Sequence, residues 1–202
     1  MKQLLLICAV VALVGQSVLA ADKKPLTKEE SAKVIETAIR KAAKKPTGEL
    51  TKADLEKVTM LRVGSKGLSD VTGLEKLTKL VSLLLSGNQL TDVKGLEKLT
   101  KLTELSLVGN KLTDVKGLEK LTKLMVLRLD WNKLTDVKGL EKLAKLEGLS
   151  LSDNQLTDVK GLEKLTQLKE LHLYDNPDLT KAQIAGLKKA LPKCRIHSNP
   201  TK

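Results

Sequence analysis

The sequence predicts an α/β solenoid. Its form is a curved right-handed coil with parallel strands on the concave face, short 3-10 turns or coil on the convex face, and helical caps at both ends. Three observations lead there. A 22-residue unit recurs from Leu55 onward, seen plainly in residues 99–120 (LTKLTELSLVGNKLTDVKGLEK), 121–142 and 143–164. Each unit carries the pattern L-x-x-L-x-L-x-x-N-x-L, and a fixed period of this size marks stacked supersecondary units. The 202-residue chain also has no Phe, one Trp (Trp131) and one Tyr (Tyr174). Leucine must therefore fill the core, and a nearly all-leucine core is specific only where a regular lattice sets the packing.

Within a unit, Leu105 and Leu107 alternate, so both point inward from a short strand. Leu99, Leu102, Leu112, Val115 and Leu118 fill the rest of the coil. Asn110 follows the strand, where the chain must turn, and its amide can both donate and accept. Asn88, Asn110, Asn132, Asn154 and Asn176 are thus expected to stack as a buried structural ladder that satisfies backbone groups the turns leave unpaired. The segment LTDVKGLEK crosses the opposite side. Thr113 or Asp114 is expected to cap its short helical turn, and Gly117 suits a turn with unusual backbone angles.

One unit cannot bury both faces of its coil, so neighbours must stack and the ends need caps. Thr27 with Glu30 forms a capping-box pattern, predicting a helix to about Lys45 with Val34, Ile35, Ala38 and Ile39 as its apolar stripe. A second short helix begins near Thr51, with Asp54 three residues on. Residues 179–191 read as a C-terminal helix before Pro192, and Arg195-Ile196-His197 as a last short strand. The organisation is then a signal peptide over 1–20, an N-terminal helical cap over 21–54, six repeats over 55–176, and a C-terminal cap over 177–202.

Lys2, the apolar run from Leu4 to Val14 and the small residues of Val18-Leu19-Ala20 predict a secretory leader cleaved after Ala20, with an uncleaved anchor as the alternative. The protein is then secreted or periplasmic, with no stable membrane span after cleavage. Cleavage removes Cys8 and leaves Cys194 alone, as either a small buried apolar residue or a source of an intermolecular disulfide.

The 22-residue unit resembles the internalin-type class of leucine-rich repeats found in exported bacterial proteins. Residues 38–55 are similar to the helical cap that precedes such repeats, and Leu191-Pro192-Lys193-Cys194-Arg195-Ile196 resembles an ending common among them. The resemblance implies the fold and a non-enzymatic protein-binding role on the concave face. With no recognisable wall anchor or additional adhesive domain, the internalins' host-surface role is not carried over.

Outward strand positions differ from unit to unit, whereas Thr-Asp-Val-Lys-Gly-Leu-Glu-Lys recurs almost unchanged although its Lys and Glu side chains are expected to be exposed. That asymmetry, with aromatics favoured at interface hot spots, selects Arg128, Trp131, His172 and Tyr174 as protein-binding residues, supported by Arg62, Leu84 and Asp130. His172, as a lone histidine, reads as a surface residue and not as a metal ligand.

The formal net charge of +12 resides mainly in lysine positions such as Lys94, Lys116, Lys138 and Lys160, expected to form mixed-sign convex ladders with Glu97, Glu119 and Glu141. Without interleaved aromatics these do not resemble a nucleic-acid platform. The partner is expected to be a protein and the chain a monomer with no cofactor. Only His172 and His197 are present, and no motif pairs a nucleophile with a base or spaces metal ligands, which argues against an enzyme. The competing class is a structural or adhesive envelope protein that holds anionic polymers through the Lys-rich convex face.

Overall fold

The computed structural model describes residues 24–199, and the expected leader lies outside them. It contains helices α1 (Lys28–Ala42) and α2 (Lys52–Glu56), then strands β1 (Met60–Arg62), β2 (Ser82–Leu84), β3 (Glu104–Ser106), β4 (Val126–Arg128), β5 (Gly148–Ser150) and β6 (Glu170–His172), then helix α3 (Lys181–Ala190) and strand β7 (Arg195–His197). A 3-10 turn lies between successive strands from β1 to β6: Leu74–Lys76, Leu96–Lys98, Leu118–Lys120, Leu140–Lys142 and Leu162–Lys164. The strands form one open parallel sheet in chain order. From β1 to β6 each residue pairs with the one 22 positions on, as in Leu105↔Leu127, so equivalent side chains lie in columns. This is a solenoid with strands on one side and 3-10 turns on the other.

The core is a stack of aliphatic layers. Leu99, Leu102, Leu105, Leu107, Leu112 and Leu118 are fully buried, and so are their counterparts in the next coil, Leu121, Leu124, Leu127, Leu129, Leu134 and Leu140. Backbone bonds between coils continue past the three-residue strands, as in Gly109 N–H to Asp130 O and Lys133 N–H to Leu112 O (both 2.9 Å), and the asparagines add side-chain bonds to them. Asn132 Nδ2 donates to the carbonyls of Leu129 and Asp130 in its own coil (3.0 and 3.2 Å) and of Leu107 in the preceding one (3.0 Å). Its Oδ1 accepts from the Leu112 N–H at 3.1 Å. Asn88, Asn110, Asn154 and Asn176 make the corresponding bonds one coil apart, all within buried side chains.

The far side corrects one expectation. The 3-10 turns are not capped by Thr113 or Asp114. Gly117, at φ 97°, precedes the turn without a side-chain cap, and Glu119 Oε2 reaches back to accept from the Gly117 N–H at 2.6 Å. Glu75, Glu97, Glu141 and Glu163 do the same for Gly73, Gly95, Gly139 and Gly161. Backbone N–H groups, its own first and then that of Gly95, hold the Glu97 carboxyl below the usual carboxylate range. Asp114 Oδ1 accepts from the Lys116 N–H two residues on, at 3.0 Å. The glutamates are thus half-buried structural groups and not freely solvated partners of the lysines.

Both ends are sealed. Helix α1 stops at Ala42, short of Lys45, and covers the first coil with Ile35 and Ile39, while Ser31 Oγ accepts from the Ser69 N–H. In α2, Thr51 and Asp54 form a capping box, and Asp54 also receives Lys45 at 2.8 Å and Lys57 at 3.1 Å. These donors, Lys45 first, then Thr51 and Lys57, hold the Asp54 carboxyl far below its ordinary value. At the other end Thr180 and Gln183 form a capping box, α3 buries Ile184 and Leu187, and β7 pairs with β6.

Two predictions follow from these contacts. Replacing Asn132 by Ala strands buried backbone groups of two coils, so urea denaturation is expected to show a loss of about 2–4 kcal/mol, whereas Lys133→Ala next to it changes stability little. Because the folded Asp54 carboxyl is depressed, its contribution is fully present above pH 3.8, its ordinary value, and is lost as pH falls below that. Thermal denaturation of Asp54→Asn is therefore expected to show a lower Tm at pH 7 and a difference from wild type that shrinks towards pH 2.

Candidate functional site

Parallel pairing at a constant register places every outward strand side chain beside its counterparts, so the strand face is one surface built column by column. The large apolar side chains left exposed among the described residues all lie on or beside it: Met60 (60%), Val81 (40%), Trp131 (47%) and Tyr174 (40%). Met60 opens β1 and Val81 directly precedes β2. Trp131 and Tyr174 follow β4 and β6 on the opposite flank.

Of the residues selected from sequence, Arg62 is exposed and Leu84 is half-buried on the neighbouring strand. Arg128 is committed within the sheet. Its Nη1 lies 2.9 Å from Glu104 Oε1, and the other oxygen of Glu104 accepts from Ser82 Oγ at 2.9 Å, which ties together β2, β3 and β4. Asp130 is likewise held, by the Ser150 hydroxyl and by the Ser152 N–H at 3.1 Å. These two are braces of the face, with less to offer a partner than the aromatics.

Trp131 sits in the left-handed region, at φ 59°. Its column along the solenoid is Ser65, Gly87, Gly109, Trp131, Asp153 and Asp175, and every member has positive φ. Glycine adopts this conformation freely, whereas a bulky residue there is an outlier with a conformational cost of roughly 1–2 kcal/mol. The indole occupies a place that glycine fills in two earlier coils, and it is half-exposed when there.

An acidic flank surrounds the aromatics. Asp130, Asp153 and Asp175 follow β4, β5 and β6. Burial first, and then the charges of Asp175 and Asp130, raise the Asp153 carboxyl above its ordinary value. On a chain of net charge +12 this is a local reversal of sign.

Tyr174 and His172 come together with a third ring that sequence reasoning did not select. The His172 and His197 rings stack with centroids 4.7 Å apart and planes 9° from parallel, and Tyr174 lies at 6.4 Å from His172 and 6.1 Å from His197. His197 stands on β7, outside the repeats, and pairs with His172 at an offset of 25 residues instead of 22. The repeat period could not reveal it; the reading of Arg195-Ile196-His197 as a strand was the available signal.

Cys194 is half-buried, more open than the buried residue considered from sequence. Burial, and secondarily the Glu170 charge, push its thiol up to about 11. The 3-10 side presents lysines at several 22-residue columns. Contact with Lys101 and its charge are the main reasons that the Lys123 ammonium lies below the ordinary lysine value, with Lys145 contributing from the next coil. No helix among the described residues is long and apolar enough to cross a membrane.

Comparison with known proteins places this geometry in context. No curated protein matches the chain by sequence. Among solved structures, the functional domain of InlJ from Listeria monocytogenes is similar at TM-score 0.72 and 28% identity, over 83% of this chain and 37% of that one. Internalin C2 of the same organism is similar at TM-score 0.62 and 29% identity, covering 84% of this chain and 86% of that one. An internalin (InlF) of that organism gives 0.64 and 27%, over 84% of this chain and 57% of that one, so the chain spans little more than half of InlF's length. The family model described as Leucine Rich repeats (2 copies) matches residues 78–120, 100–142 and 144–189, more than half of the chain. With its strands, 3-10 turns and asparagine stack in the same frame, the chain belongs to the leucine-rich-repeat family.

Proposed function

We propose that this chain is an exported, monomeric, non-enzymatic protein-binding module, and that it holds its partner on the strand face, most strongly along the flank carrying Trp131, Asp153, Tyr174 and Asp175. The observation that carries the reading is Trp131. A half-exposed indole is kept in a left-handed turn where glycine serves elsewhere in the same molecule. Sites that retain such conformational cost are concentrated where function requires the side chain, and Trp and Tyr are the residues most often found at binding hot spots. Two aromatics about two coils apart, bordered by aspartates, suit a partner segment that presents apolar side chains beside Lys or Arg. The likeness to internalins supports binding as the class of function, and the predicted leader supports export.

A second reading draws on the Lys101, Lys123 and Lys145 column. Lys101 and Lys145 lie close enough for their charges to act on Lys123, and such a local concentration of positive charge attracts a polyanion, which is how an adhesive envelope protein would engage its polymer. The two readings separate by salt, since exposed charge contacts are screened within about 10 Å at 0.1 M.

The test is capture of partners from the native envelope and culture fluid. Wild type is compared with a Trp131→Gly, Tyr174→Ala double variant, with glycine chosen because it tolerates φ 59°. Strand-face binding is expected to survive high salt and to fall by roughly 1000-fold in the variant, the loss of two hot-spot side chains at ~2 kcal/mol each. Equal capture by both proteins, abolished by salt, would refute this site and favour the lysine columns.

A second outcome concerns charge. A carboxyl whose folded value is raised stabilises the fold below the ordinary carboxylate range and loses that contribution as pH rises through it. Asp153→Asn is therefore expected to raise stability at pH 7 by ~0.5 kcal/mol, on the scale of surface substitutions, and to match wild type near pH 3. It is also expected to weaken capture of a basic partner. A variant that is more stable but binds worse would identify Asp153 as a residue kept for recognition.

A further inference from the structure

We propose that Glu170, His172 and His197 form a binding site for a single divalent transition-metal ion of the zinc class, at the C-terminal end of the strand face.

The site follows from topology. His172 and His197 are the chain's two histidines, and they are register partners on the adjacent parallel strands β6 and β7. Paired strands run about 4.8 Å apart, so directly paired side chains on one face meet, and the rings do so at 4.7 Å. Glu170 is two residues before His172 and therefore on the same face. Its Oε1 lies 3.1 Å from His172 Nε2 and 3.9 Å from His197 Nε2. One ligand atom from each of the three side chains falls within 4.8 Å of the others. All three side chains are half-buried, so they are held in place yet open to an entering ion.

The donor set selects the ion. Two imidazoles and a carboxylate suit zinc and its transition-metal neighbours, whereas magnesium and calcium require shells made mostly of oxygen. Tetrahedral ligands at zinc distances lie about 3.3 Å from one another. The His172–Glu170 spacing of 3.1 Å is near that value, and the His197–Glu170 spacing of 3.9 Å must shorten by a few tenths of an ångström. Ring planes only 9° from parallel have lone pairs running side by side, so at least one ring must tilt for both to meet an ion. His197 stands on the edge strand β7 and is the more exposed of the two rings, so it is the one placed to rotate. Tyr174 Oη lies 3.5 Å from His197 Nδ1, where it can orient the second ring nitrogen as outer-shell groups do in metal sites. Three protein ligands leave a fourth position for water or a donor from another molecule. The site does not depend on the protein-binding reading above, because its test uses the metal alone.

The full chain, made without a polyhistidine tag, is titrated with Zn²⁺ at pH 7.5 by calorimetry. One equivalent is expected to bind. Loss of an outer-shell partner weakens metal sites by about 10–100-fold, so loss of a direct ligand in His172→Ala or in His197→Ala is expected to weaken binding at least as much, and Mg²⁺ in excess should not compete. Wild type alone supplies an independent readout. The chain has two histidines, both partly exposed, so diethyl pyrocarbonate is expected to modify them in the metal-free protein, and Zn²⁺ is expected to protect both. Absence of one-equivalent binding, unchanged affinity in the two histidine variants, or failure of Zn²⁺ to protect either ring would overturn the proposal.

Discussion

Each asparagine of the ladder joins two coils through one side chain. Its amide donates to carbonyls of its own turn and of the preceding turn, and its oxygen accepts an N–H from the preceding coil. No aliphatic residue can do this, and in a buried position the unmet backbone groups are costly. Strands of three residues supply too few ladder bonds to fix a parallel register, and leucine layers are forgiving of small slips. The asparagines, together with backbone bonds beyond the strands such as Gly109 N–H to Asp130 O and Lys133 N–H to Leu112 O, remove that freedom. Once they fix the offset at 22 residues, every other position of the repeat becomes a column, and the surface of the molecule is determined by what each column contains.

The columns differ in what constrains them, and this alters how the repeat's constancy is to be understood. The near-invariance of Thr-Asp-Val-Lys-Gly-Leu-Glu-Lys was read as constancy of exposed residues, in contrast with a variable strand face. Much of that constancy has a local cause. The glycine must adopt φ near 100°, the glutamate satisfies the glycine N–H, the aspartate accepts from the lysine N–H, and the valine and leucine are buried. Only the threonine and the lysines are left as exposed positions without such a bond from the side chain in most coils. Variation among strand residues is therefore weaker support for a binding face than it was from sequence, and the burden passes to the exposed aromatics and to the backbone that holds Trp131.

The repeat fold was legible because period, leucine spacing and asparagine position all demand the same geometry. The capping boxes at Thr27 and Thr51 were legible because they are local, three residues apart. What escaped sequence reasoning is non-local or conformational. His197 meets His172 through the cap strand, whose offset of 25 breaks the period. Glu119 reaches back only two residues, yet its reach depends on a glycine conformation that the pattern suggests and does not specify. The ion pair of Arg128 was not legible, because Glu104, 24 positions away, is brought beside it by the stacking alone.

The Trp131 column is the part of the fold on which the proposed recognition rests. The left-handed turn after each strand is a requirement of the coil, shared by all six members of the column, and not a property of the residue found there. Glycine meets it in two coils without cost. Asp153 and Asp175 meet it more easily than a bulky residue could, since short polar side chains are enriched in this region. Burial, however, and then the charges of Asp175 and Asp130, raise the Asp153 carboxyl. Each of these choices is inferior, for the isolated chain, to the glycine found at Gly87 and Gly109. Ser65 departs from glycine in the first coil, and the other three departures, Trp131, Asp153 and Asp175, fall in successive coils beside Tyr174 and the stacked histidines. A stacked array lets one coil carry such costs because its neighbours hold it in place. The C-terminal flank of the strand face thus holds three of the column's four non-glycine residues, and the conformational cost of Trp131 there is the physical basis of the proposed binding surface.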